Sequence, residues 1–186
     1  MGKKNGRNDI ADLSRLNPLD SKDKKILRVV IETPKGSRNK FAFDPDQHVF
    51  ELKKVLPTGM AFPYDFGFVP STEAEDGDPI DVLVLMDEPA FTGCLVRSRL
   101  LGVIEAEQTE KGKTNRNDRL IAVACNARTD SDLKTLSDMN PQLLDEIEHF
   151  FVSYNEVKGK KFKPLGRHGP KRARRLITKA RRPKKR

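Results

Sequence analysis

The stretch Glu75-Asp76-Gly77-Asp78-Pro79-Ile80-Asp81-Val82-Leu83-Val84 places three aspartates, Asp76, Asp78 and Asp81, within six residues. Behind them Val82 to Met86 is an unbroken apolar run, which predicts a buried strand. Asp76 and Asp78 are two apart and project to one side of an extended chain. Gly77 between them leaves room for a backbone or ligand to approach, and Pro79 bends the chain before Asp81 returns at the strand start. Carboxylates held this close repel one another unless they share a cation, and a set of oxygen donors suits a hard ion such as magnesium or manganese. Asp, Gly and Pro are also ordinary turn residues, so a solvated acidic turn is the competing reading. A calcium loop of the EF-hand type is excluded, because its sixth and twelfth positions, counted from Asp76, hold Asp81 and Asp87 instead of Gly and Glu.

Upstream of this stretch, Ile26 to Ile31 reads as a first strand ending at Glu32, Lys40 to Phe43 as a second and His48 to Leu52 as a third. Residues 61–69 read as an aromatic strand, with Pro63 marking an edge or a bulge. Downstream, Cys94 to Ile104 and Leu120 to Ala124 read as strands, separated by a polar loop over 109–118. Asn140-Pro141 starts a helix, as an N-cap followed by a first-turn Pro. Leu143, Leu144, Ile147, Phe150, Phe151 and Tyr154 then recur at spacings of three and four, which carries that helix to about residue 156. Pro164 to Pro170 breaks the pattern, and Lys171 to Ala180 can form a basic last helix. Strands first and helices later make an α+β chain with a compact barrel-like sheet.

A length of 186 residues fits one domain with a sizeable core. The net charge of +9 is uneven. Lys160 to Arg186 holds 14 of the 36 Lys and Arg and no acid, so 22 basic side chains face 27 acidic ones elsewhere. The body is mildly acidic, and three segments follow: a mobile polar arm over 1–24, a domain over 25–162 and a peripheral basic tail over 163–186. Cys94 and Cys125 lie in apolar sequence and read as two buried thiols, with a disulfide between them as the less favoured alternative, and His48, His149 and His168 give no zinc spacing. With no membrane-spanning run and no signal-peptide pattern in the first 25 residues, the expectation is a soluble, cytoplasmic protein.

Asp76-Gly77-Asp78-Pro79-Ile80-Asp81-Val82 matches in full the D-[SGDN]-D-[PE]-[LIVMF]-D-[LIVMGAC] signature of the family I soluble inorganic pyrophosphatases. Phe62 to Phe68 resembles the aromatic strand before that signature, and Val29-Val30-Ile31-Glu32 resembles the family's first strand. The resemblance spans roughly residues 26–161. It implies a five-stranded OB-like β-barrel flanked by helices, which agrees with the α+β reading above. It also implies hydrolysis of pyrophosphate to two phosphates by metal-activated water, with Mg2+ as cofactor and Mn2+ as the alternative, in a homo-oligomer.

Residue by residue, the resemblance makes Asp76 and Asp81 metal ligands and Asp78 the group that helps deprotonate the attacking water. Glu32 matches an outer carboxylate, Lys40 a phosphate-binding lysine and Tyr154 a tyrosine that hydrogen-bonds phosphate. Lys54 stands in the place of a phosphate-binding arginine and lacks its bidentate fork. The family's second acidic pair, DxxxxDxK, is altered. Arg119 fits the cation, but the acid two places before it is Asn117, with Asp118 shifted by one as the candidate metal ligand. Gln108 begins this loop, and Glu107 or Glu110 could serve as the first acid. Phe62 and Phe66 replace two tyrosines, Ala42 stands where an acid is common, and Asn155 replaces a lysine, whose charge Lys160 or Lys161 could supply. Two alternatives follow: a divergent relative with weak activity or another phosphoanhydride substrate, and an OB-like nucleic-acid-binding module. The basic tail suits weak electrostatic contact with polyanions, and its one aromatic, Phe162, offers little base stacking.

Overall fold

The computed structural model describes residues 12–182. Its main sheet contains β1 (Ile26–Thr33), β4 (Asp65–Phe68), β5 (Asp81–Leu85), β6 (Leu95–Glu110), β7 (Lys113–Arg116), β8 (Arg119–Ala124) and β9 (Lys161–His168). A hairpin of β2 (Asn39–Asp44) and β3 (Val49–Val55) stands beside it as a second sheet. The helices are α1 (Pro141–Glu156) and α2 (Pro170–Ala180).

Five strands close into a ring. β1 pairs with β4, β4 with β5, β5 with β8, β8 with β6, and β6 returns to β1. Closure leaves these five without a free edge, and the expected five-stranded barrel-like α+β architecture is what the chain adopts. All these pairings are antiparallel except β5 with β8. The ring is covered on both faces, which is why β5 and β8 read as continuous apolar runs instead of alternating ones. Leu83, Leu85, Ile121 and Val123 join the apolar cluster beneath α1, while Val82, Val84, Leu120 and Ala122 join the one beneath α2.

Gly67 shows how tightly the ring is drawn: a Cβ built there would lie 2.0 Å from the Val30 carbonyl oxygen across the β1–β4 pair. The α1 start is as expected, with Asn140 Oδ1 accepting from Gln142 N at 3.0 Å ahead of Pro141. Leu144, Ile147, Phe151 and Tyr154 form the buried stripe, whereas Leu143 is exposed.

Several local expectations are corrected. The strand over 61–69 shrinks to Asp65–Phe68. Pro63 has no amide to give to a ladder, and Phe62 instead exchanges backbone bonds with the turn at Gly36 and Ser37. The polar loop over 109–118 is a hairpin of β6 and β7, turned by Lys111 and Gly112 at φ 50° and 79°. Positive φ at both turn residues is the twist-matched geometry for a two-residue connection. Both thiols are free, but only Cys94 is half-buried, and Cys125 is exposed.

The segment read as a basic tail is continuous with the body through residue 182. β9 lies along β6, and the ladder shifts register between Glu105 and Ala106, where Pro164 is accommodated. α2 buries Ala173 and Ile177, one turn apart, against the sheet. Glu105 of β6 receives both Arg172 of α2 and Arg116 of β7, at 2.5 and 2.7 Å. Of the arm read over 1–24, residues 12–24 run along the body. Pro18 is buried, its carbonyl accepts Arg28 N at 2.8 Å, and Leu19 bridges Leu27. Residues 1–11 and 183–186 lie outside the described residues. Among the described residues, no helix is long and apolar enough to cross a membrane.

Candidate active site

The connection from β4 to β5 carries the acidic stretch and closes on itself. Val69 N donates to Ile80 O at 2.9 Å, Ala74 N to Asp78 O at 2.7 Å and Gly77 N to Ala74 O at 3.1 Å. Inside the loop, buried Thr72 accepts Ile80 N on its hydroxyl and donates that hydroxyl to Val69 O. Gly77 sits at φ 90°, in the region that favours glycine. This geometry puts Asp76 and Asp78 at the mouth of a cavity of about 330 Å3, with Asp81 at the first position of β5 on its wall. Glu32 reaches the same cavity because the β1 ladder against β4 shifts register at that residue.

Cations line the same cavity. Lys40 Nζ lies 3.0 Å from Glu32 Oε2 and 4.3 Å from the centre of the Phe66 ring, and Phe43 N donates to Glu32 Oε1 at 2.8 Å. Glu32 therefore ties the β2–β3 hairpin to the barrel and aims Lys40. Arg119 is almost fully buried, stacked on Phe151 and Phe162, and its Nη1 pairs with Asp81 Oδ2 at 2.6 Å. It also donates to the Asn117 side-chain oxygen, and Asn117 Nδ2 donates to Gln108 Oε1 at 3.0 Å. A chain Asp81–Arg119–Asn117–Gln108 thus crosses the cavity floor.

The electrostatics follow from this placement. Asp76 and Asp78 remain open to solvent at the mouth, yet the surrounding walls remove enough water to raise both above the usual carboxylate range. The charge of Asp81 adds to the rise in each. Burial raises Glu32 as well, against the attraction of Lys40. Burial likewise raises the Tyr154 phenol, keeping it a hydrogen-bond donor. An all-oxygen donor set with desolvated like charges suits a hard divalent ion. Among the described residues, no three such side chains converge closely enough to hold one as they stand.

The cavity thus brings together Asp76, Asp78, Asp81, Glu32, Lys40, Arg119 and Tyr154 from the sequence-predicted set. Lys54 stands just outside, in an adjoining pocket shared with Lys40, Asp78 and Tyr154. Asp118 does not face the cavity. Its Oδ1 accepts Ala106 N at 3.0 Å and Arg116 Nη2 at 2.8 Å, and it lines a separate cavity behind the loop. Neighbours in an extended segment face opposite ways, so Asn117 looks into the cavity and Asp118 away from it. Phe62 is buried in the core against Phe66 and Tyr154 and does not line the wall.

Three polar lining residues escaped the sequence reading: Ser14, Lys158 and Arg182. Lys158 lies four residues after Tyr154, just past the end of α1, and its Nζ lies 3.9 Å from the centre of that ring. Burial, then the charges of Lys54 and Lys160, lower its pKa to about 8. The i, i+4 spacing was a usable signal. Asn155 and Lys160 also line the cavity: Asn155 is buried and donates its side-chain amide to Phe151 O at 2.8 Å, and Lys160 is paired with Glu110 at 2.7 Å. Ser14 and Arg182 come from the two ends of the described chain, and no local pattern points to them.

A closed five-stranded ring whose cavity sets carboxylates against lysines and a buried arginine is suited to a small, dense polyanion. The family described as inorganic pyrophosphatase matches residues 29–185. Inorganic pyrophosphatases of Synechocystis sp. and Nostoc sp. are 39% and 40% identical over 155 residues, covering 83% of this chain and 88% of each relative. The crystal structure of inorganic pyrophosphatase from Thermus thermophilus superposes with a TM-score of 0.83 at 34% identity, over 91% of this chain and 97% of that one. The corresponding enzyme of Neisseria gonorrhoeae gives 0.79 at 32% identity, over 89% and 94%. The chain belongs to the inorganic pyrophosphatase family.

Proposed function

We propose that this cavity hydrolyses inorganic pyrophosphate to two phosphates, with Asp78 as the base that takes the proton of the attacking water. The observation that carries the reading is that Asp76, Asp78 and Asp81 line one cavity together with Lys40, Arg119 and Lys158. Asp76 and Asp81 would hold a divalent ion, Mg2+ or alternatively Mn2+, which when bound lowers the pKa of water and neutralises phosphate charge. Lys40, positioned by Glu32, and Arg119, positioned by Asp81 and Asn117, offset charge on the two phosphoryl groups. Tyr154 donates its hydroxyl to a phosphate oxygen, and Lys54 adds charge from the rim. Lys158 supplies the cation that Asn155 lacks. Asp118, bonded to Arg116 and turned away, has no part in metal binding on this reading. The enzyme acts as a cytoplasmic homo-oligomer.

Phosphate release by the purified protein tests this, measured from pyrophosphate, ATP and a phosphomonoester, each with and without Mg2+. Fast, Mg2+-dependent release from pyrophosphate alone is expected. Equal release from all three substrates, or none from folded protein, would overturn the reading.

A further inference from the structure

The end of the described chain returns to the acidic loop. Beyond α2, Arg181 bridges Thr72 in antiparallel fashion. Glu73 N donates to Ala180 O at 2.8 Å, and Arg182 N donates to Ser71 O at 2.9 Å. The Arg182 side chain then doubles back. Its Nε lies 2.8 Å from Glu73 Oε2, and its Nη2 comes within 3.5 Å of the Gly77 carbonyl oxygen. Arg182 is thereby placed at the mouth of the main cavity. The other end of the described chain grips the same loop. Ser71 N donates to Ser14 O at 2.7 Å, and Ser71 Oγ to Leu16 O at 2.9 Å.

We propose that the segment Ala180–Arg182 is a strap that holds the Asp76–Asp78 loop in its presenting geometry, with Arg182 as a positioning residue. The inference rests on the functional reading above only for its effect on turnover; the strap itself is a statement about the loop. The physical need is plain. Asp76, Asp78 and Asp81 repel one another, and the loop between Ala74 and Asp78 turns on a glycine at positive φ. A loop so charged, hinged on a residue with wide backbone freedom, opens unless tied from outside. The strap does this with a cation on Glu73 and the Gly77 carbonyl, and with backbone bonds at its base. Arg182 need not touch substrate; it acts through the loop. On this account the basic C-terminal stretch does more than solvate the chain.

The test uses the full chain carrying Arg182→Ala or Arg182→Lys, and a chain ending at Ala180. Two readouts are taken: amide hydrogen exchange across 72–80, and the Mg2+ concentration giving half-maximal phosphate release. Exchange at Ala74 and Gly77 should quicken about tenfold in Arg182→Ala, at least as much in the shortened chain and less in Arg182→Lys. Exchange in β5 and β8 should stay unchanged. The Mg2+ requirement should rise about tenfold in step, with a smaller change in kcat. Unchanged exchange across 72–80 in Arg182→Ala would overturn the strap, even if the shortened chain failed to fold. If the unaltered protein released no phosphate, the functional reading would fail, and the exchange data would still decide the strap.

Discussion

The two walls of the cavity are built on opposite principles. One is the loop from β4 to β5 with the start of β5. It gathers Asp76, Asp78 and Asp81, two of them raised above the usual carboxylate range by desolvation and then by neighbouring charge. The other comes from β6, the β7–β8 connection and β8. It presents the amides Gln108 and Asn117, knitted to Arg119. The first wall is poised because, among the described residues, Asp76 and Asp78 have no ion-pair partner; the second is settled because its polar groups bond one another. The two meet at the Asp81–Arg119 pair. Acidic residues near the second wall do not make it acidic, because Asp118 and Glu105 point behind it to Arg116 and Arg172.

The largest effect is expected where the walls meet. Asp81→Asn removes a carboxylate from the first wall and leaves nearly buried Arg119 without its ion partner. Steady-state phosphate release should fall by at least about a hundredfold, with a stability loss of about 2–3 kcal/mol seen in urea unfolding. A loss of activity with unchanged stability would mean that Arg119 depends on the amide wall and not on Asp81.

A smaller effect is expected from the cations between the walls. Lys158→Met should raise KM for pyrophosphate about tenfold at pH 7. Burial depresses the Lys158 pKa to about 8, so the ammonium is charged below that pH and neutral above it. The gap between variant and unaltered enzyme should therefore narrow as pH rises through about 8. A gap constant from pH 7 to 9 would show that Lys158 does not carry charge to the substrate.

The smallest effect concerns the back of the second wall. Bonding from Arg172, and then from Arg116, holds Glu105 down to about 2, against its burial. A carboxylate with a depressed folded-state pKa stabilises the fold above its unfolded value and loses that contribution as pH falls through the folded one. The contribution, on the order of 2 kcal/mol, should be full above about pH 4.5 and fade toward pH 2. Glu105→Gln should flatten this part of the acid unfolding curve, and an unaltered curve would mean that the Glu105 ion pairs contribute nothing to the stability of the fold.

The first wall was legible in the sequence because it is local. Seven consecutive residues carry it, and the run Val82–Met86 announces the strand that presents it. The barrel strands and α1 were legible because burial writes itself as apolar runs or as a stripe at helical spacing. The second wall was not, because facing is set by register. Asn117 and Asp118 differ by one position, and only the ladder of β6 against β7 and β8 decides which looks inward. The β6–β7 hairpin was missed because it is polar, and β9 because Pro164 and Gly166 read as breakers until a register shift accommodates them. Charge counting made residues 163–186 a tail. The two apolar residues that dock α2, Ala173 and Ile177, are outvoted by the basic residues around them.

The contrast between the walls can be put to one measurement: kcat for phosphate release from pyrophosphate at saturating Mg2+, in Asp78→Asn and Asp118→Asn against the unaltered chain. On the proposed mechanism Asp78, which lines the cavity, is the base, whereas Asp118 is turned away from the cavity. The predicted result is a loss of about 10²–10⁴ in Asp78→Asn, with less than about a threefold change in Asp118→Asn. Near-normal turnover in Asp78→Asn, or a comparable collapse in Asp118→Asn, would contradict the account.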